Sequence, residues 1–487
     1  MQHFTGAATA AVAGAAAGFI IGRSLASVVG YVQKSSCKAA SDAPSDQPTI
    51  TAVDEVQSGL SVTFSDGHRS LFPWIWLRDA SLASEHRLSS GQRLFETHRL
   101  PTSRELRAQV ADLQWSREAL SIDWRAGDSK AAVSTYTSTY LHHSCSVKAR
   151  YDGQTLWANG EDLFDALPHV DAADVLAGGQ SLLPLLRSLK RYGVALITGA
   201  SSEPGTILEI ASALGFTRET NYGVTFDVLA AKDQTKISNL AVSAGGLSLH
   251  TDNPYRNPVP GVQLLHCVQP ATGGGGATVV ADGYALGEDL RVSQPKVFER
   301  LTRGPPRMFQ FVDTTPGREG SGAAAACLRA SKRAFELDPI SGAIETVAYN
   351  NRSMLPPVVK SLDEDPRGLE AEADLFAWSA VGKALEEQTH RHAKRVLQKG
   401  ELLVMINTRV YHGRDGFEGH RHLQGCYIDC DQLWSTLAVL EAAEAKEELF
   451  SGSDCVEVAV ARVDAALAAA RAVTTPPTQT KRRLFEN

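Results

Sequence analysis

His250 and Asp252 stand two apart at the end of a strand-like run, inside Leu247–Cys267 (LSLHTDNPYRNPVPGVQLLHC). In an extended chain, residues i and i+2 point to the same side. An imidazole nitrogen and a carboxylate oxygen at these positions therefore converge on one point. A lone His-x-Asp is far more often an ordinary solvated turn, and only the further residues change that. The segment Asn407–Asp429 (NTRVYHGRDGFEGHRHLQGCYID) adds His412, after an apolar strand and before a glycine turn. Two His and one carboxylate on one face of a metal leave three positions open, a donor set suited to non-haem Fe(II). Arg421 follows on the same segment. A guanidinium pairs bidentately with a carboxylate, which Lys reproduces poorly. Iron that chelates 2-oxoglutarate through its 1-carboxylate and 2-oxo oxygen needs such a residue for the far carboxylate. The four residues together match that chemistry. A zinc hydrolase would need a general base beside the metal and gives Arg421 no task.

The elements that must position these residues follow from patterning. Gly59–Phe64 alternates apolar and polar, Ser65-Asp66-Gly67 is a turn, and Leu71–Leu77 (LFPWIWL) reads as the next strand. Leu113–Trp115 and Leu120–Trp124 read as a hairpin, and Thr137–His142 as one more short element. Residues 49–155 are thus expected to form a small β-rich domain. Leu182–Lys190 has helical spacing and ends at Tyr192-Gly193, before the buried-type strand Val194–Thr198. Thr206–Leu214 reads as a helix, and Lys236–Val242, Val262–Val268 and Ala277–Val280 as strands. Gly317–Ala326 reads as a loop and Glu372–Leu397 as a long amphipathic helix. Leu402–Ile406 and Leu423–Ile428 read as strands, Gln432–Leu449 and Val456–Val473 as helices. Residues 156–475 are expected to form the main domain and 476–487 a flexible tail. Short strands with interspersed helices predict a distorted double-sheet barrel of the jelly-roll type, mainly β, with helices packed on one sheet.

Composition removes several classes. With 43% hydrophobic and 21% charged residues, the chain is neither disordered nor collagen-like nor a polytopic membrane protein. Lys and Arg number 48 against 55 Asp and Glu, so no basic excess supports a nucleic-acid partner. Seven scattered Cys without a CxxC pair argue against a disulfide framework. The first 41 residues hold no acid and three basic residues, Arg23, Lys34 and Lys38, among Ala, Gly and Val runs. Residues 1–48 read as a mitochondrial targeting segment and linker. The alternatives are an N-terminal anchor in contact with a membrane, interrupted by Arg23, or a disordered tail on a cytoplasmic protein.

Several stretches in order carry a family resemblance over roughly residues 50–440. They are WLRDA (Trp76–Ala80), LSLHTDNP (Leu247–Pro254), PGVQLLHC (Pro260–Cys267), VADGY (Val280–Tyr284), YNN (Tyr349–Asn351), HGR (His412–Arg414) and RHLQGCYID (Arg421–Asp429). The chain resembles the gamma-butyrobetaine hydroxylase and trimethyllysine hydroxylase group of Fe(II)/2-oxoglutarate oxygenases, within the taurine-dioxygenase-like superfamily. The resemblance implies a double-stranded β-helix catalytic core with His250, Asp252 and His412 as iron ligands and Arg421 on 2-oxoglutarate. It places Thr278 beside that carboxylate, although Thr278 reads equally as an ordinary strand residue. It places Asn239 between cosubstrate and substrate, and Asn350 on a substrate carboxylate, where an Asx-type turn is the plain alternative. The resemblance further implies ascorbate as reductant, O2 as co-reactant and a homodimer.

A quaternary ammonium group has no N–H to donate and is held by aromatic faces. The family's cage matches Tyr222, Phe226, Val242 and Tyr427, with Phe226 in place of Trp and Val242 in place of Tyr. The plain alternative for the three aromatics is core packing. The expected reaction is hydroxylation of a small cationic substrate, gamma-butyrobetaine to L-carnitine. Trimethyllysine, another quaternary-ammonium compound or an aminophosphonate stand as alternatives, as does a membrane-tethered, non-catalytic binding protein. The family's structural zinc takes Cys residues just after WLRD and a later His. Here ASLASEHRL follows, without Cys, and His98 alone remains, so no structural zinc is expected. His86 reads as a solvated loop residue.

Overall fold

The computed structural model describes residues 48–449 except 82, 84, 89–91, 125–132, 146–150, 152, 230–242 and 315–324. The N-terminal segment up to 47, the strand expected at Lys236–Val242 with Asn239 and Val242, most of the 317–326 loop, the helix expected at Val456–Val473 and the tail lie outside the described residues. The chain divides into two compact units, Met1–Lys148 and Ala149–Asn487.

In the first unit, β1 (Ile50–Val56), β2 (Gly59–Phe64) and β3 (Arg69–Pro73) form one antiparallel meander. A second is formed by β4 (Asp112–Trp115), β5 (Ala119–Asp123) and β6 (Val133–Thr137). Leu60, Val62, Trp74, Leu120, Ile122 and Tyr136 close one core. The strand expected over 71–77 stops at Pro73, and Trp74–Asp79 is a helix. Pro73 supplies an extended residue before the first helical turn, and Trp74 and Leu77, three apart, share the buried helical face. Likewise the element expected at Thr137–His142 is the helix Ser138–Cys145. His86 is not solvated: it is 4% exposed, and its Nδ1 lies 2.8 Å from Ser81 Oγ. That hydroxyl meets Ser134 Oγ at 2.6 Å, which in turn accepts from Trp124 Nε1 at 2.8 Å. Buried polar groups need such partners.

The second unit is built on two sheets. The larger runs, in spatial order, β7 (Val170–Asp171), β8 (Val194–Thr198), β18 (Leu402–Ile406), β11 (Val262–Gln269), β20 (His422–Ile428) and β9 (Thr225–Leu229). The smaller runs β10 (Leu247–His250), β19 (Val410–Arg414), β12 (Thr278–Asp282) and β17 (Ala393–Arg395). Neighbours are antiparallel except β7 with β8. Two hairpins, β13 (Arg307–Asp313) with β14 (Ala326–Lys332) and β15 (Phe335–Leu337) with β16 (Ile344–Val347), complete the strands. This is the expected mainly-β double-sheet core.

Strand alternation sorts the side chains into layers. Leu196, Leu265, Met405 and Leu423 of the larger sheet meet Val280, Ala393 and Val410 of the smaller between the sheets. Their neighbours Ala195, Leu264, Val404 and Cys426 face helices Ala172–Ala177, Leu183–Tyr192, Thr206–Leu214 and Cys430–Leu449. Val279, Ala281 and Tyr411 face a second helical layer, Gly283–Ser293, Pro295–Arg303 and Leu369–Glu387. Helices therefore cover both sheets, not one, because both sheets are apolar on their outer faces. The helix expected at 372–397 spans only Leu369–Glu387; Ala393–Arg395 instead pairs with β12. A backbone ladder to a distant strand satisfies those N–H and C=O groups, and no local pattern announces it. Among the described residues no helix is long and apolar enough to cross a membrane.

Candidate metal centre

The inner face of β19 presents Val410, His412 and Arg414 in alternation, while Tyr411 packs outward. His412 lies directly opposite His250 of β10 and Val280 of β12. The two imidazole centroids are 4.4 Å apart. Asp252 follows the end of β10, with Oδ1 3.3 Å from His250 Nε2 and Oδ2 3.7 Å from His412 Nε2. One ligand atom from each of the three residues lies within 4.8 Å of the others.

Remote residues hold this cluster. Asn407, 0% exposed, accepts from Asp252 N at 2.8 Å and donates to Asp252 O at 3.0 Å and Pro260 O at 2.9 Å. Thr251 N donates to Tyr349 O at 2.7 Å, which fixes the residue between the first two ligand candidates. Gln263 of β11 and Tyr427 of β20 are register partners, and both donate to Asp252 Oδ2, at 2.7 and 2.8 Å. His250 Nδ1 lies 2.8 Å from Ser248 O. A hydrogen on Nδ1 satisfies that carbonyl and leaves the Nε2 lone pair directed at the cluster.

The electrostatics match the geometry. Burial, with the neighbouring His412 and Arg352, pushes His250 down to about 4, so its ring is neutral near pH 7. Burial acts to raise the Asp252 carboxyl, but hydrogen bonds with His250 and His412 outweigh it and hold the group well below the usual range. The result is a neutral imidazole beside an anionic oxygen, as a divalent metal requires. These residues fit a facial-triad metal ion.

Further along the same inner face, Thr278 is buried and lies opposite Arg414 in register. Arg421, 5% exposed, stands over Phe417 with its guanidinium carbon 5.5 Å from the ring centroid. Burial and the nearby Arg414 push it down to about 10, which leaves it protonated near pH 7. The glycine run before Thr278 has a steric reason at Gly276. Its φ is +71°, and a Cβ there would come within 3.3 Å of Arg421 Nε.

The structure brings the three expected aromatics together and extends them. Tyr427 stacks on Phe226 at 5.3 Å, and Phe226 meets Tyr222 at 6.3 Å. Tyr222 meets Phe311 at 5.9 Å, and Phe311 stacks on Tyr255 at 5.2 Å. Gly425 is the register partner of Phe226, and any Cβ there would strike its ring. Asn350 is buried at the edge of the site; its Nδ2 donates to Thr251 O at 3.2 Å, and its Oδ1 has no partner. Sequence reasoning missed Gln263, Asn407, Arg414, Tyr255 and Phe311. Tyr255 lay close to Asp252 and was findable; the others carry no local signal.

Two family models match the chain. A family model described as "Taurine catabolism dioxygenase TauD, TfdA family" matches residues 161–427. One described as "Gamma-butyrobetaine hydroxylase-like, N-terminal" matches 51–158. The chain is 29% identical over 392 residues to gamma-butyrobetaine dioxygenase of Pseudomonas sp. (strain AK-1), covering 79% of this chain and 94% of that protein. It is 26% identical over 384 residues to the mitochondrial trimethyllysine dioxygenase of Gallus gallus, covering 76% and 83%. Among solved structures, the non-heme iron oxygenase OrfP, in complex with Fe and alpha-ketoglutaric acid, aligns at 16% identity with a TM-score of 0.37, covering 55% of this chain and 95% of that one.

Proposed function

The chain belongs to the taurine catabolism dioxygenase TauD, TfdA family, and from that premise we propose that this dioxygenase hydroxylates a small trimethylammonium compound, gamma-butyrobetaine, to L-carnitine. The observation that carries the proposal is the convergence of His250, Asp252 and His412 beside a chain of aromatic rings, with Arg421 on the same inner face. In this reading His250, Asp252 and His412 hold Fe(II). Arg421 pairs with the far carboxylate of 2-oxoglutarate, and Thr278 assists it. The bound metal and cosubstrate supply the oxidation: one oxygen atom of O2 enters the substrate C–H bond, and the other leaves in succinate as 2-oxoglutarate loses CO2.

The protein's own residues bind, orient and exclude water. Tyr222, Phe226 and Tyr427 present π-faces to the quaternary ammonium, with Tyr255 and Phe311 extending the wall. Asn350 is tied by its Nδ2 to Thr251 O at 3.2 Å, which leaves its unpartnered Oδ1 and remaining N–H for the substrate's polar end. Gln263 and Tyr427 hold Asp252 Oδ2 and leave Oδ1 for the metal.

The relatives named gamma-butyrobetaine dioxygenase favour that substrate; the trimethyllysine dioxygenases, at slightly lower identity, make trimethyllysine the second reading. Some of those relatives are named mitochondrial, in keeping with residues 1–48 as a targeting segment. The test is succinate release by purified protein with Fe(II), ascorbate and 2-oxoglutarate. Strong stimulation by gamma-butyrobetaine, with carnitine formed, is the expected result. Stimulation by trimethyllysine alone would replace the substrate, and no succinate with any trimethylammonium compound would overturn the reading.

A further inference from the structure

The turn that leaves the metal centre begins at Asn253, a residue that none of the roles above uses. Asn253 follows Asp252 directly and is 3% exposed. Its φ is +55°, in the left-handed region that favours glycine. Among the described residues Tyr151 is the one other non-glycine with a positive φ. Arg256 N donates to Asn253 O at 3.0 Å and closes the turn. Pro254 takes its second position, where the ring pre-sets φ. The chain therefore turns back immediately after the carboxylate, and the turn carries Tyr255.

The side chain of Asn253 makes one specific bond. Its Oδ1 accepts from the Tyr255 hydroxyl at 2.6 Å. Tyr255 is buried, and its ring stacks on Phe311 with the planes 22° apart. Phe311 meets Tyr222, Tyr222 meets Phe226, and Phe226 stacks on Tyr427. Tyr427 returns to the Asp252 carboxylate through its hydroxyl. The aromatic wall thus starts from the residue after Asp252 and ends on the side chain of Asp252. Burial pushes the Tyr255 phenol well above its ordinary value, so it remains a donor to Asn253. A bond at the hydroxyl and a stack on the face hold this ring in one orientation.

Few residue types do both tasks. Glycine takes a positive φ without strain but offers no acceptor. An apolar side chain offers no acceptor and is strained there. Aspartate tolerates the conformation and accepts, but it would set a second anion beside the Asp252 carboxylate. Asparagine tolerates the left-handed region and supplies a neutral acceptor.

Resting on the trimethylammonium reading above, we infer that Asn253 is a positioning residue that fixes the Tyr255 ring in the substrate wall, so that one turn serves both the metal ligand before it and the substrate. Its effect reaches the substrate through Tyr255 and not through the metal, because Asp252 has its own supports in Asn407, Gln263 and Tyr427. Without the Asn253 acceptor the Tyr255 hydroxyl is released, and the ring must be ordered anew each time substrate binds.

The test uses full-length protein loaded with Mn(II) and 2-oxoglutarate and titrated calorimetrically with gamma-butyrobetaine. Asn253→Gly keeps the positive φ and removes only the acceptor; Tyr255→Phe keeps the ring and removes only the donor. Each should bind gamma-butyrobetaine roughly threefold to tenfold more weakly than wild type, the scale of one net hydrogen bond. The double variant should lose no more than the larger single loss, because both changes break the same bond. Tyr255→Leu removes the π-face itself and should lose more than either. Mn(II) and 2-oxoglutarate affinities of Asn253→Gly should stay within about twofold of wild type. Unchanged substrate affinity in Asn253→Gly, or losses that multiply in the double variant, overturn the inference and leave the trimethylammonium reading standing. So does wild-type binding by Tyr255→Leu, or a loss in Asn253→Gly shared equally by metal, cosubstrate and substrate, which marks a merely structural role. No binding of gamma-butyrobetaine by wild-type protein defeats gamma-butyrobetaine as the substrate, and the inference falls with it.

Discussion

The hydroxyl of Tyr427 donates to Asp252 Oδ2 at 2.8 Å, from a ring that also stacks on Phe226 at 5.3 Å. One side chain thus links the aromatic wall to the carboxylate of the metal centre. Burial and the nearby Asp252 push the Tyr427 phenol well above its ordinary value, so it stays a donor.

Tyr427→Phe keeps the ring and removes only that donor. Asp252 Oδ2 then retains Gln263 alone, and its orientation loosens. Loss of such an outer partner typically weakens metal binding about tenfold to a hundredfold. A spectroscopic Co(II) titration of Tyr427→Phe should show a drop in that range, and the double variant with Gln263→Leu should drop further. Wild-type affinity in the double variant would refute the positioning role.

Arg421→Ala should raise the 2-oxoglutarate requirement by roughly tenfold or more, because a bidentate charge-assisted pair is lost. Metal affinity, read by the same Co(II) titration, should change little. Arg421→Lys should fall between, since a point charge remains without the fork. A KM for 2-oxoglutarate unchanged in Arg421→Ala would remove the cosubstrate assignment.

Arg409 and Asp282, with side chains 2% and 0% exposed, form a buried bidentate pair at 3.2 and 2.9 Å. Arg409 also donates to Arg191 O and Thr155 O, and Asp282 accepts from Tyr284 N and Trp157 N. Arg409→Met leaves a buried carboxylate without its counter-ion and should destabilise the protein by about 3–5 kcal/mol. The double variant with Asp282→Asn should lose less than the sum of the single losses. Urea denaturation of the four proteins of this cycle measures the coupling.

His86 makes the first unit sensitive to acid. Burial and the neighbouring Arg78 push it down to about 4 in the folded protein, against an ordinary value of 6.5. The unfolded chain therefore takes up the proton first. The contribution is fully present above pH 6.5 and is lost as pH falls from there towards 4. Its full size is on the order of 3 kcal/mol. Stability measured across this range should slope less in His86→Gln than in wild type; parallel slopes would refute the assignment.

The spacing of His250 and Asp252 was legible because strand periodicity alone puts i and i+2 on one side. His412 was legible by residue type beside an apolar strand, and the structure brings it to the other two. The double-sheet core was legible too, since runs such as Leu402–Ile406 are buried on both faces, 0% exposed at four of the five positions and 6% at Ile406. Trp74–Asp79 misled because WIWL suits a strand in composition, and only the joint burial of Trp74 and Leu77 against distant strands makes a helix the better solution.

The sequence by itself therefore determined the donor types, their local spacing and the layers to which each strand contributes, because these depend on chemistry and periodicity carried within a few residues. The tertiary structure alone decided that Asn407, 155 positions from Asp252, clamps its backbone, and that Gln263 and Tyr427 share its Oδ2. It alone placed Phe311 against Tyr255. Those contacts arise from strand register and loop return between distant parts of the chain, and no local preference encodes which remote partner a side chain will meet.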